Sequence, residues 1–203
     1  MKQNLIERQG YSERIERMFG KGMVVALTGQ RRVGKSCVMK RIYEKYSQDS
    51  HNNVIYIDME KTAFADITNY ENLEAYVAER LDSSKDNYLF IDEVQEIQDF
   101  EKAILSLQSD GSCQIMVTGS NAKMLSSELS TRLRGRYIGY HIHGLDYEEF
   151  IEFHNLQDND ESLGMFLQYG GLPQLRQLGL ANSDLIDDYF ENVVNTIVLR
   201  DII

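Results

Sequence analysis

The sequence predicts an α/β fold in which strands alternate with helices and a smaller helical unit follows. Three observations carry this. A short apolar run, Val24 to Thr28, breaks into Gly29-Gln30-Arg31-Arg32-Val33-Gly34-Lys35-Ser36 and leads at once into a helical pattern. Four further runs rich in β-branched and aromatic residues alternate with amphipathic segments as far as His143. From Asp146 onward the pattern is wholly helical.

Residues 1–20 read as a helical lead-in. Leu5, Ile6, Ile15, Met18 and Phe19 sit among Glu and Arg, and Gly20 and Gly22 stop the turns. The strand, glycine loop and helix that follow form the context in which Gly-x-x-x-x-Gly-Lys-Ser acts as a phosphate-binding P-loop. Gly29 and Gly34 let the backbone turn and approach an anion with no side chain in the way. The loop N–H groups and the helix N-terminus present positive charge to it. Lys35 is placed to reach the β- and γ-phosphates, and the Ser36 hydroxyl to ligate Mg²⁺.

The spacing of Val38, Met39, Ile42, Tyr43 and Tyr46 predicts a helix over 36–46, and Asn53 to Met59 a second strand. Asp58 and Glu60 close that strand, either supporting a ligand site or as solvated carboxylates. Tyr70 to Leu81 is predicted as an amphipathic helix, then Tyr88-Leu89-Phe90-Ile91-Asp92-Glu93 as a third, buried strand. An apolar strand ending in Asp after a P-loop is the Walker B arrangement. Asp92 is expected to hold the Mg²⁺ shell, and Glu93 to polarise the attacking water as a general base. The competing structural role for this pair is capping a helix that starts near Asp99.

A helix over Phe100–Leu107 and a fourth strand over 114–121 come next. Ser120, with Thr118 and Asn121, is expected either beside the γ-phosphate or as the cap of the following helix. Arg132, Arg134 and Arg136 precede a fifth strand, Tyr137 to His143. Arg136, then Arg132, is the candidate for stabilising charge during phosphoryl transfer, in cis or from a neighbouring subunit. His141 and His143 share a strand face, and zinc would need two further ligands that the sequence does not offer. Helices are predicted over 147–153, 162–169, 174–180 and 184–203, with Gly170-Gly171-Leu172-Pro173 breaking the chain. The chain stops inside an apolar helical pattern, an unexpected place for a natural C-terminus, so the sequence is expected to be part of a longer chain.

Composition excludes several classes. The 203 residues are 42% hydrophobic and 26% charged, as in soluble globular proteins. No run approaches the ~20 apolar residues of a membrane-spanning helix, and the N-terminus is not a signal sequence. Cys37 and Cys113 lack metal-site spacing and fit reduced thiols, hence a cytoplasmic location. A net charge of −11 argues against sequence-independent nucleic-acid binding, which needs clustered Lys and Arg.

Thr28 to Ser36, Leu89-Phe90-Ile91-Asp92-Glu93-Val94-Gln95, Val117-Thr118-Gly119-Ser120, Leu133-Arg134-Gly135-Arg136-Tyr137 and Gly171-Leu172-Pro173 occur in this order. Together they resemble the prokaryotic AAA-type P-loop ATPases known as ATP-binding proteins, whose AAA domain is usually followed by a C-terminal domain of unknown function. The resemblance covers roughly residues 20–200. It implies an AAA+/ASCE-type P-loop NTPase, three-layer α/β/α, with a five-stranded, mainly parallel sheet over 21–145 and a small C-terminal helical lid over 146–203. It implies ATP and Mg²⁺ as cofactors. The nucleotide site would comprise Gly29, Gln30, Arg31, Arg32, Val33, Gly34, Lys35, Ser36 and Cys37. The metal site would be Ser36 and Asp92, and the catalytic set Glu93, Lys35, Arg136 and Ser120. Many AAA+ machines carry a second, nucleotide-contacting arginine in the lid, and here only Arg176 and Arg200 are available for it. Two functions follow: a Mg-dependent ATPase coupled to the helical or C-terminal domain, or a non-hydrolysing switch in which ATP shapes a protein-interaction surface. A protein partner, the further domain or a second copy of the chain is the expected associate. No Asn-Lys-x-Asp guanine motif is present, and the Asp92-Glu93 pair favours hydrolysis over small-molecule phosphorylation.

Overall fold

The computed structural model describes residues 8–119, 133 and 135–197. The described chain divides after Ile142 into two compact units. The first holds a sheet of five strands: β1 (Val24–Thr28), β2 (Asn52–Asp58), β3 (Asp86–Asp92), β4 (Gln114–Thr118) and β5 (Tyr137–His141). They lie in the order β2-β3-β4-β1-β5, and every pairing is parallel. A parallel sheet is covered on both faces, so its strands read as continuous apolar runs. Val24, Val25, Ala26 and Leu27 are accordingly all buried.

Among the described residues, four α-helices of eight residues or more accompany the strands: α1 (Gln9–Glu16), α2 (Lys35–Tyr46), α3 (Tyr70–Ala78) and α4 (Phe100–Asp110). Side chains alternate across a strand. Val24, Ala26, Leu89, Ile91, Ile115 and Val117 therefore share one face, in a core with Leu73 and Val77 of α3 and Phe100, Ala103 and Ile104 of α4. Phe90 points the other way, into an aromatic group with Phe19, Tyr43, Tyr46, Tyr56 and Tyr88; Tyr43 and Tyr46 belong to α2. The result is the predicted three-layer α/β/α arrangement. It also fixes direction, because Asp92 shares the parity of Phe90 and so faces the layer to which α2 belongs.

Residues 143–197 form the second unit, with α5 (Tyr147–His154), α6 (Asp160–Tyr169), α7 (Leu175–Leu178) and α8 (Ser183–Ile197). Asp146 and Glu149 close a capping box on α5. Phe150 is fully buried against Phe166 at 5.3 Å, and His154 packs on Phe150 at 4.5 Å. Burial, with Arg176 nearby, pushes the His154 pKa down to about 4. The Gly171 backbone presses on Leu145, whose N–H donates to Gly171 O at 2.6 Å. A Cβ on Gly171 would lie 1.9 Å from Leu145 O. Gly171→Ala is expected to cost this unit about 3 kcal/mol or more, because the atoms it meets are backbone and cannot rotate away. Faster hydrogen exchange in α5–α8, with β1–β4 protection retained, checks this.

Observed elements differ from the expected ones mostly at their ends. β5 stops at His141, so the fifth strand is shorter than expected. The predicted helix over 174–180 is reduced to Leu175–Leu178. Residues 198–203, at the end of the last predicted helix, lie outside the described residues. No helix among the described residues is long and apolar enough to cross a membrane.

Candidate functional site

The loop after β1 is built from backbone conformations that few residues accept. Gly29 has φ 139°, Arg32 φ 70° and Gly34 φ 100°. At Gly29 space forbids a side chain as well, since a Cβ would lie 2.2 Å from Ile142 O. That closeness follows from β5 running beside β1, with Ile142 N–H donating to Thr28 O at 2.7 Å. Gly34 then opens α2 with no side chain capping the helix, so none takes the first-turn N–H groups. Lys35 is buried and folds back, its Nζ donating to Gly29 O and Gln30 O, each at 3.1 Å. Burial pushes its pKa down, and the Glu93 and Asp92 carboxylates oppose that shift. Just before α1, Arg8 Nη1 donates to Val33 O at 3.4 Å.

Asp92, the last residue of β3, faces this loop. Its Oδ1 accepts from Ser36 Oγ at 3.0 Å and also from Thr118 Oγ1. Burial pushes the Asp92 carboxyl pKa up, and the two hydroxyl bonds offset only part of that. Tyr56, on β2, also bonds to Asp92; burial first, then the Asp92 and Asp58 charges, pushes its phenol up. The Thr118 hydroxyl in turn accepts the Glu93 N–H at 2.9 Å. Glu93 has a left-handed backbone, φ 55° and ψ 53°, uncommon for a residue with a Cβ. Its carboxylate accepts from the Gln95 side-chain amide. Glu60 completes the acidic group. Burial, then Glu93, Asp58 and Asp92, pushes its carboxyl up, and Arg31 opposes them.

The site thus joins a glycine loop with uncapped helix N–H groups, a buried ammonium, and a hydroxyl and a carboxylate in direct contact. Residues 21–151 match the family model described as AAA domain. The chain belongs to the AAA domain family. Its relatives include an uncharacterized protein of Haemophilus influenzae, 28% identical over 210 residues; the match takes in 100% of this chain but 52% of the relative. The chain therefore spans about half the length of that curated relative. Among solved structures, Cdc6p from Pyrobaculum aerophilum superimposes with a TM-score of 0.60 at 11% identity, over 86% of this chain and 60% of that one. AMPPCP-bound DnaA from Aquifex aeolicus gives 0.54 at 18%, over 86% and 59%. These likenesses are of fold, and they agree with the AAA-type P-loop ATPase architecture.

Within the AAA domain the structure brings together Gly29, Gly34, Lys35, Ser36, Asp92 and Glu93. Gln30 and Arg32 are exposed on the loop, Arg31 is half-buried, Val33 is buried and Cys37 is exposed on α2. The pair Asp92-Glu93 does not cap α4; the turn Val94–Glu96 intervenes, and Asp99 stands at the helix start. Thr118 departs from the expectation that it lies beside a phosphate, because its buried hydroxyl is committed to Asp92 and Glu93. His141 Nδ1 lies 3.5 Å from Thr28 Oγ1. No group of three or more His, Cys, Asp or Glu that could hold a metal occurs among the described residues. Ser120, Asn121, Arg132 and Arg134 lie outside the described residues.

Arg136 stands away from the loop of its own chain. It precedes β5, and its carbonyl accepts from Val24 N–H at 3.0 Å, at the start of β1. The loop leaves β1 at its other end, roughly 15 Å away at ~3.3 Å per residue. The exposed Arg136 guanidinium contacts Gln108 Oε1 at 3.5 Å instead. A role at the loop of its own chain is thereby removed. Arg176, expected as a lid arginine, lies 4.7 Å over the Phe153 ring in the helical unit.

Proposed function

We propose that this AAA domain binds ATP with Mg²⁺ and hydrolyses the β–γ phosphoanhydride, giving ADP and phosphate, and that the change of nucleotide is read by the helical unit or by a further domain. The observation that supports this most directly is the Ser36–Asp92 bond, which ties the glycine loop to the end of β3. A hydroxyl and one carboxylate at 3.0 Å suit Mg²⁺, which prefers oxygen donors and takes one or two from protein, the rest from water and phosphate. Held by Ser36 and Asp92, Mg²⁺ would supply positive charge to the phosphates. The AMPPCP bound to the Aquifex DnaA of the same fold supports an adenine nucleotide.

Each residue then has a task. The N–H groups of Gln30 to Cys37 hold phosphate oxygens, and Gly29 and Gly34 keep the approach clear. Lys35 exchanges its two carbonyl partners for the β- and γ-phosphates. These bonds favour its charged form, which burial opposes in the free site. Glu93 accepts the proton of the attacking water. Ser120 is assigned to the γ-phosphate from its place in the sequence after β4. Arg136 serves the loop of a second copy, the remaining role for a guanidinium on the far sheet edge.

MgATP binding and phosphate release by the chain and by Lys35→Ala, at several protein concentrations, test this. Losing two charge-assisted bonds is expected to weaken MgATP binding about 100-fold, at about 1.5–3 kcal/mol per bond before rearrangement. Turnover per chain is expected to rise with concentration if Arg136 acts between copies. Equal binding by the two proteins would end the assignment. Binding without turnover at any concentration would select the switch reading instead.

A further inference from the structure

Glu93 is held from two sides, and only one of them belongs to the loop-and-strand arrangement. Its backbone N–H goes to Thr118, while its carboxylate takes a bond from the side-chain amide of Gln95. The amide reaches back because the chain makes a tight turn: Glu96 N–H donates to Glu93 O and Ile97 N–H to Val94 O, each at 3.1 Å. Val94 and Ile97 are buried and pin the turn from within. The orientation of the amide is forced. Turned over, it would set its carbonyl oxygen against a carboxylate, two acceptors with no proton between them.

Gln95 satisfies Glu93 at a cost to itself. Its own Oε1 is buried and has no hydrogen-bond partner among the described residues. A buried, unpaired carbonyl is destabilising, and the left-handed backbone of Glu93 beside it adds strain. An apolar side chain of the same length would avoid the first penalty. Two unfavourable features on neighbouring residues, both serving the direction of one carboxylate, are the pattern of a site shaped for chemistry.

We propose that Gln95 is the positioning residue of Glu93: its amide holds one carboxylate oxygen and leaves the other directed at the attacking water. This rests on the reading of Glu93 as the general base. In this role Gln95 acts only through Glu93, by the amide bond to its carboxylate. Fixing the base matters because proton transfer needs a short, aligned contact, and a freely rotating carboxylate spends most of its time elsewhere.

Gln95→Met keeps length and bulk and removes the N–H donor. With the full chain, kcat for MgATP is expected to fall about 10- to 100-fold, with KM changed by no more than about 2-fold. Thermal stability should be equal or higher, since the orphaned Oε1 is gone. In a Glu93→Gln background, Gln95→Met should cause no further loss of turnover, because the two act as one unit. An unchanged kcat in Gln95→Met, a loss that tracks a lower melting temperature, or full additivity with Glu93→Gln overturns the positioning role while Glu93 remains the base. Turnover that survives in Glu93→Gln alone, or is missing from the unaltered chain, overturns the base reading, and Gln95 falls with it.

Discussion

Replacing Glu93 by glutamine is expected to reduce phosphate release from MgATP by about 10²- to 10⁴-fold, the usual worth of a positioned general base. The substitution isolates chemistry from structure. Glutamine keeps the side-chain length, and the Glu93 N–H that donates to Thr118 is a backbone group. The Thr118–Asp92–Ser36 chain is untouched, so a cation held by Ser36 and Asp92 keeps its ligands. Nucleotide binding should be equal or tighter. Glu93 is the largest of the charges that oppose the burial shift of Lys35, so it is near the phosphate site, and removing it takes a like charge away from the triphosphate. Single-turnover phosphate release beside equilibrium nucleotide binding separates these effects. Turnover within about threefold of the unaltered chain would remove Glu93 from the chemistry and leave Asp92, whose carboxylate contacts Ser36 directly, as the carboxylate to test next.

What could be read from sequence depended on how local the cause was. The glycine loop is set by neighbours within eight positions, and its strand and helix are signalled by unbroken and 3.6-period apolar patterns; all were legible. The Ser36–Asp92 contact was legible as well, because a parallel α/β sheet sends loop and strand end to the same edge. The same rule places Arg136 wrongly for a role in its own chain: a residue that precedes a parallel strand lies at the edge opposite to one that follows it. The order of loop, arginine and strand in the sequence carries that signal. Thr118 and Tyr56 were of another kind. Their contact with Asp92 depends on register, with Ile91 beside Val117 and Asp58 beside Asp92, and register is a property of paired strands. Gln95 was visible as part of a motif, but its bond needs the turn at Val94–Glu96, which no periodic pattern announces.

Gly29→Ala is expected to damage both the sheet and the site, whereas Lys35→Ala should damage the site alone. At Gly29 a methyl group would meet Ile142 O at 2.2 Å and Ile142 C at 3.2 Å, and the residue would keep φ near 139° only under strain. Relief by moving Ile142 would pull on the β1–β5 pairing, which its N–H extends through Thr28 O. Relief by turning Gly29 would swing the loop N–H groups away from one centre. Strain of about 1–3 kcal/mol and overpacking of about 1–3 kcal/mol together approach half of a typical domain stability. The melting temperature should fall by about 5–15 °C at ~2–4 °C per kcal/mol, and MgATP should no longer raise it. Lys35→Ala removes a buried cation that desolvation already disfavours, so its melting temperature without nucleotide should hold while the nucleotide response is lost. A Gly29→Ala protein that melts within about 2 °C of the unaltered chain and still responds to MgATP would show that the loop relaxes without moving its N–H groups. The closeness of Ile142 would then be an accident of packing and not the reason for glycine.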